Sequence, residues 1–152
     1  MTINTSRVVM AGLAAGVVSN IVGFVGFGLL LAERMEAEAV AVAPALQGRG
    51  MDGASIAINV VLTFVIGVLL VWLYAAMRPR FGPGMKTATL AALAVWICGF
   101  VFHIDWLIVG MMTPATYALA SVIAFIQVMA AAAVGGMLYQ EGGSRPASAV
   151  RI

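Results

Sequence analysis

The stretch GFVFHIDWLIVG, Gly99 to Gly110, places the chain's single histidine, an aspartate and a tryptophan within four positions of an otherwise apolar run. An imidazole and a carboxylate this close in sequence are the raw material of a general-base pair, a proton relay or a ligand site. Helix geometry rules out the pair. Successive residues turn by about 100°, so His103 and Asp105 point roughly 200° apart and cannot share a face. His103 shares its stripe with Trp96, Gly99 and Trp106, while Asp105 shares its own with Cys98, Val101, Ile108 and Met112. At most one of these stripes can fully enter a helix bundle. The other must meet a partner, a bound molecule or the outer headgroup layer.

His103 admits two readings. It is either a hydrogen-bonded ring packed among tryptophans, or an axial ligand to haem or pigment or a proton-handling group, with Gly99 leaving room for a flat macrocycle beside Trp96. Asp105 lies about 6–9 Å from the outer end of its run, close enough to interfacial water to act as an anchor as well as a functional acid. Asn20, Asn59 and Gln127 complete the polar inventory, so every apolar run carries at least one strongly polar group. His103, Asp105, Asn20, Asn59, Gln127, Trp96 and Trp106 therefore form the candidate ligand-binding or polar-core set. Buried in hydrocarbon, the polar members are expected to converge on one another or on water.

Other chemistry is poorly supplied. No nucleophile–base set is present, so no catalytic residue is assigned and an enzyme is the disfavoured class. Cys98 has no partner cysteine and reads as a small buried hydrophobe, which excludes thiol–disulfide redox chemistry within the chain. A bis-histidine haem would need two copies of the chain. Ten methionines occur without a Met-x-x-Met cluster and read as apolar filler, so neither a metal site nor a resident cofactor is expected.

The elements that must position these residues follow from composition. The 152 residues are 63% hydrophobic and 9% charged, with a mean hydropathy of +1.08, against about 25% charged in soluble domains. The solvent must be mostly lipid. A net charge of +2, carried by scattered basic residues, argues against a nucleic-acid partner. Four continuously apolar runs, about 8–32, 54–77, 87–111 and 115–139, are each long enough to cross a bilayer as a helix. The expected fold is an all-α integral membrane protein with a four-helix transmembrane domain over 1–140 and a short tail over 141–152. The first run is read as a retained span, because it is too long for a signal-peptide core.

Charge sets the orientation. The RPRFGPGMK connection carries Arg78, Arg80 and Lys86 and no acid, and Arg7, Arg145 and Arg151 fall on the same side. That side is cytoplasmic by the positive-inside rule, which places both termini inside and the chain in a bacterial inner (plasma) membrane. The outer connection after the first span holds Glu33, Glu36, Glu38 and Asp52 against Arg34 and Arg49. Within it Met35, Ala39, Val42 and Leu46 recur at helical spacing, which predicts a short interfacial helix. Gly12, Ala15, Gly16, Ser19, Gly23 and Gly26 form a small-residue stripe for close helix packing, against the chain's own bundle or a second protomer. The segments NIVGFVGF and WICGFVFH share I-x-G-F-V, which suggests two tandem helical hairpins. The layout resembles small bacterial four-helix membrane proteins with a long outer connection, a likeness of architecture that carries no function.

Packing signals dominate, so the leading expectation is a non-enzymatic multi-pass protein, an accessory or scaffold subunit or a bundle binding a hydrophobic ligand. It would sit in the lipid bilayer as a homo-oligomer or within a larger membrane complex. The alternative is a small oligomeric transporter or channel. Small multidrug exporters carry a glutamate in their first helix, and this first span has no acid before Glu33. Proton coupling would then rest on Asp105.

Overall fold

A computed structural model describes residues 3–47 and 52–139. Among them every regular element is helical. Helix α1 runs over Thr5–Gly23 and continues as a π-helix over Phe24–Leu30; α2 covers Ala32–Val42 and is followed by a 3-10 turn at Pro44–Leu46. Helices α3 (Gly53–Phe81), α4 (Met85–Ile108) and α5 (Pro114–Leu138) complete the chain. Four spans, Thr5–Leu30, Gly53–Phe81, Met85–Ile108 and Pro114–Leu138, are long and apolar enough to cross a membrane. The protein is a four-helix membrane bundle with a short extra helix, α2, in its first connection. Arg49, Met51 and the 141–152 tail lie outside the described residues, as does the side chain of Leu46.

Local chemistry sets the boundaries. Asn4 caps α1 by accepting from Arg7 N at 3.1 Å, and Asp52 caps α3 by accepting from Ser55 N at 2.8 Å. Thr113 caps α5, with Pro114 at the first helical position, where its missing N–H costs nothing. Helix α3 runs past the expected end near Met77 and through Pro79 to Phe81. Pro79 stands in the last turn, so only one backbone bond is forgone. The chain then reverses at Gly82 and Gly84, whose φ angles of 81° and 117° are ones that L side chains avoid. The Tyr74 hydroxyl accepts from Gly84 N at 3.1 Å, and the Thr87 hydroxyl donates to Gly82 O at 2.6 Å.

Helix α1 packs on α3 and α5, and α4 packs on α5 and α3, so α1 and α4 stand diagonally opposed. The core lies towards the end that holds the α3–α4 turn. Val8, Ala11 and Ala15 meet Leu70, Val71, Tyr74 and Ala75 there, with Ala88, Ala91, Ala92, Ala131, Ala132 and Tyr139. Alanine and glycine dominate because in lipid the contact itself, rather than water exclusion, holds helices together. Arg78 closes this end over the faces of Tyr74 and Tyr139, at 5.8 and 5.4 Å from the ring centres. The start of α1, the end of α5 and the α3–α4 turn thus share one end of the bundle.

The small-residue stripe serves the chain's own bundle. A Cβ at Gly12 would lie 2.5 Å from Val68 Cα, and one at Gly16 would lie 2.5 Å from a Phe64 ring carbon. Farther along, a Cβ at Gly23 would meet the Gln127 amide, and one at Gly26 would meet Ile123. The hairpins α1–α3 and α4–α5 each pack internally, but their I-x-G-F-V segments differ in surroundings. Gly23 is pressed against α5 at the entry to the π-helix, whereas nothing lies within 4 Å of a Cβ built on Gly99.

Candidate functional site

The half of the bundle far from the α3–α4 turn, termed outer for its place in the expected topology, is built differently from the half that holds the turn. Every residue from 53 to 62 of α3 is exposed, on all sides of the helix. Residues 97 to 106 of α4 are likewise exposed, except half-buried Gly99. Neither helix covers the other at this level. The outer half of α5, by contrast, is held by the π-helical segment on one side and by α4 on the other. Its contact with α4 is an aromatic ladder. Trp96 stacks on Phe125 and Phe100 at 5.4 and 5.6 Å, and Phe100 on Tyr117 at 5.3 Å. Trp96 Nε1 donates to Ser121 O at 2.9 Å, and the Tyr117 hydroxyl donates to Phe100 O at 2.6 Å.

The candidate residues therefore separate into two groups. Trp96 belongs to the α4–α5 ladder. Gln127 donates from Nε2 to Ser19 O at 2.9 Å and ties α5 to α1. Asn20 turns back on its own helix and donates to Gly16 O at 2.9 Å. These three are structural joints between or within helices, and they do not converge with the others.

Asn59, His103, Asp105 and Trp106 form the second group, all exposed and all in the outer half. His103 Nδ1 lies 2.8 Å from Gly99 O. A carbonyl only accepts, so Nδ1 carries the proton, and Nε2 is the ring nitrogen left to face outward. The ring sits edge-on to Trp106, with centres 6.0 Å apart. Asp105 accepts from Trp106 N through Oδ1 at 3.0 Å, leaving Oδ2 without a partner among the described residues. The Asn59 side chain makes no hydrogen bond among them, although its backbone carbonyl accepts from the Thr63 hydroxyl at 2.9 Å. Helix geometry correctly set His103 and Asp105 on opposed stripes, but neither stripe enters the core. Cys98, expected to be buried, is exposed on the same half of α4. It reads as buried from its apolar neighbours because sequence cannot distinguish a lipid-facing position from a packed one.

A further polar centre escaped the sequence. Glu38 on α2 reaches across to the start of α5. Its Oε2 accepts from Thr113 N at 2.9 Å, and its Oε1 accepts from the hydroxyls of Thr113 and Thr116. Arg34 stands 3.5 Å away on the same helix. In a capping box, the third residue of a helix is a Glu or Gln that bonds the N-cap N–H. Here that third residue is Thr116, and Glu38 supplies the missing carboxylate from a distant segment. The partial signal in sequence was a Thr-Pro-Ala-Thr helix start lacking its own acid.

The Thr116 hydroxyl bond, then the Thr113 backbone bond, hold the Glu38 carboxyl down at about 2, from 4.5. A depressed carboxyl pKa stabilises the fold above the unfolded value, and that contribution is lost as pH falls through the folded one. The clasp should therefore be complete above pH 4.5 and fail as pH falls towards about 2. Carbon-13 NMR of the Glu38 carboxyl should place its midpoint near 2. Glu38→Ala should speed amide exchange at Thr116 and Tyr117 and leave the inner core unchanged.

Two apolar grooves run along α3. One is lined by Ala57, Ile58, Val61 and Leu62, the other by Leu13, Val61, Phe64, Val65 and Val68, and both open to the surroundings. Among the described residues no group of three or more His, Cys, Asp or Glu gathers as metal ligands would. Compared with known protein families, with curated proteins and with solved structures, the chain matches none.

Proposed function

We propose that the protein is a membrane-embedded assembly subunit, anchored by its closed half and offering its open half to a protein partner. The carrying observation is the exposure of α3 over 53–62 on every face and of α4 over 97–106 away from Gly99 and its α5 contact, with Asn59, His103 and Asp105 among them. Apolar exposure alone suits lipid. Ionisable and amide groups at membrane depth do not, and they mark surfaces that meet protein or water. A hydrophobic small-molecule ligand is the weaker reading, since the α3 grooves are open troughs rather than enclosures. The α3–α4 turn, with Arg78, Arg80 and Lys86 around it, would face the cytoplasm of a bacterial inner membrane.

The test uses a photoreactive residue at Phe102, which is 79% exposed on outer α4, and another at Met10, which is 71% exposed on inner α1. In intact membranes position 102 is expected to form a protein adduct, and position 10 to form lipid adducts. Lipid adducts alone at position 102 would overturn the reading. The purified protein is expected to show no absorption band beyond that of its aromatic residues. A visible band abolished by His103→Ala would instead make His103 a pigment or haem ligand.

A further inference from the structure

We infer that the occupant of the open half is a second copy of this chain, with α3 of each protomer docked against α4 of the other. The inference rests on the assembly reading above and names its partner.

Three observations carry it. The first is depth. Asn59 lies six residues from the outer start of α3 at Gly53, and Asp105 and His103 lie three and five residues from the outer end of α4 at Ile108. At 1.5 Å per residue all three fall in one stratum, roughly 5–9 Å below the helix ends. A two-fold axis along the membrane normal keeps depth unchanged, so these residues meet at one level in the paired chains.

The second is complementarity of donors and acceptors. His103 has Nδ1 engaged with Gly99 O, which leaves Nε2 as its outward ring nitrogen. On the opposed stripe of α4, Asp105 presents Oδ2, an acceptor with no partner among the described residues. Asn59 on α3 carries an amide with two N–H donors and no hydrogen bond among the described residues. Within one chain the Asn59 amide bonds neither group. Across a two-fold axis the Asn59 amide of each copy meets the Asp105 carboxylate of the other, twice, as an isologous contact requires.

The third is shape. Outer α3 and outer α4 do not cover each other, and α4 meets only α5 at this level, so a single chain leaves an open side between the two helices. The same two helices of a second copy supply what that opening lacks. Phe102, Trp106 and Ile58 would then pack at the seam around the polar contacts.

The experiment uses full-length chains in native membranes, each carrying Cys98→Ala and one of two tags. One chain carries Asn59→Cys and the other Asp105→Cys. Mild oxidation is expected to give the mixed disulfide at least about tenfold above an Asn59→Cys and Met10→Cys control pair, which lies at different depths. Asp105→Leu in an untethered pair is expected to abolish co-purification of the two tags, while the inner bundle stays folded. Absence of the mixed disulfide together with a heterologous protein adduct at position 102 would overturn the second copy and leave the assembly reading standing. Absence of both would overturn both.

Discussion

Gly67→Leu is expected to prevent α1 and α3 from packing and to remove most folded protein from the membrane. A Cβ at Gly67 would stand 2.6 Å from Gly12 O, 2.7 Å from Gly16 N and 2.9 Å from Gly16 Cα. All three are backbone atoms, so no rotamer change can yield the space. Ordinary overpacking costs about 1–3 kcal/mol. Here α1 as a whole must withdraw, and with it Gly12, Gly16 and the contacts of Ala11 and Ala15 in the core. The control is Gly99→Ala, where nothing lies within 4 Å of the new Cβ; its effect on folding should stay within about 0.5 kcal/mol. Folded yield and the midpoint of SDS-induced unfolding read both. Equal tolerance of the two substitutions would mean that α1 and α3 do not meet as described.

Asp105→Leu should act in the opposite direction on folding and on association. A lone acid facing lipid is unfavourable, by about 2.5–3.5 kcal/mol at mid-membrane and by less near the outer face. Replacing it should leave the inner core untouched, because Asp105 is exposed, stands outside the core cluster and is hydrogen-bonded to Trp106 N. Unfolding of the single chain should therefore be unchanged or require more denaturant. Association should weaken. A hydrogen bond between membrane helices contributes ~0.6 kcal/mol on average and ~1.7 kcal/mol at most. A two-fold contact loses it twice, which corresponds to roughly tenfold or more in affinity. Energy transfer between labelled chains in liposomes, titrated against lipid, measures the change. An Asp105→Leu chain that associates as tightly as the parent would remove the carboxylate from the interface.

Much of the fold was legible because membrane helices announce themselves by length. Each span, at 24 to 29 residues, exceeds the ~20 residues a crossing needs, and Met35 and Ala39 at helical spacing revealed α2, where both are half-buried. The π-helical segment FVGFGLL was not legible, since its glycines and apolar residues suit an α-helix as well. Within it Gly26 lies against Ile123 of α5, a contact between segments far apart in sequence. The Glu38 clasp was hidden for a related reason. A carboxylate and its two threonines are separated by more than seventy positions, and only the folded first connection brings them together.

The candidate site was legible in type and not in grouping. Helix periodicity placed His103 and Asp105 on opposed faces, which the structure keeps. It could not foresee that Gln127 would find Ser19 O and Asn20 its own helix, leaving Asn59 with the outer group. An apolar helix looks the same in sequence whether it faces lipid, a neighbour or another copy. Only the contact pattern separates those cases, and here it leaves outer α3 exposed and outer α4 held only along its α5 side.

The central claim is that this chain does not function alone in the bilayer. Its most direct test is the mass of the protein particle cut from native membranes in polymer nanodiscs and released for native mass spectrometry. A particle heavier than one 15.8 kDa chain is expected, and one of twice that mass if the partner is a second copy. A particle holding a single 15.8 kDa chain and lipid alone would contradict the claim.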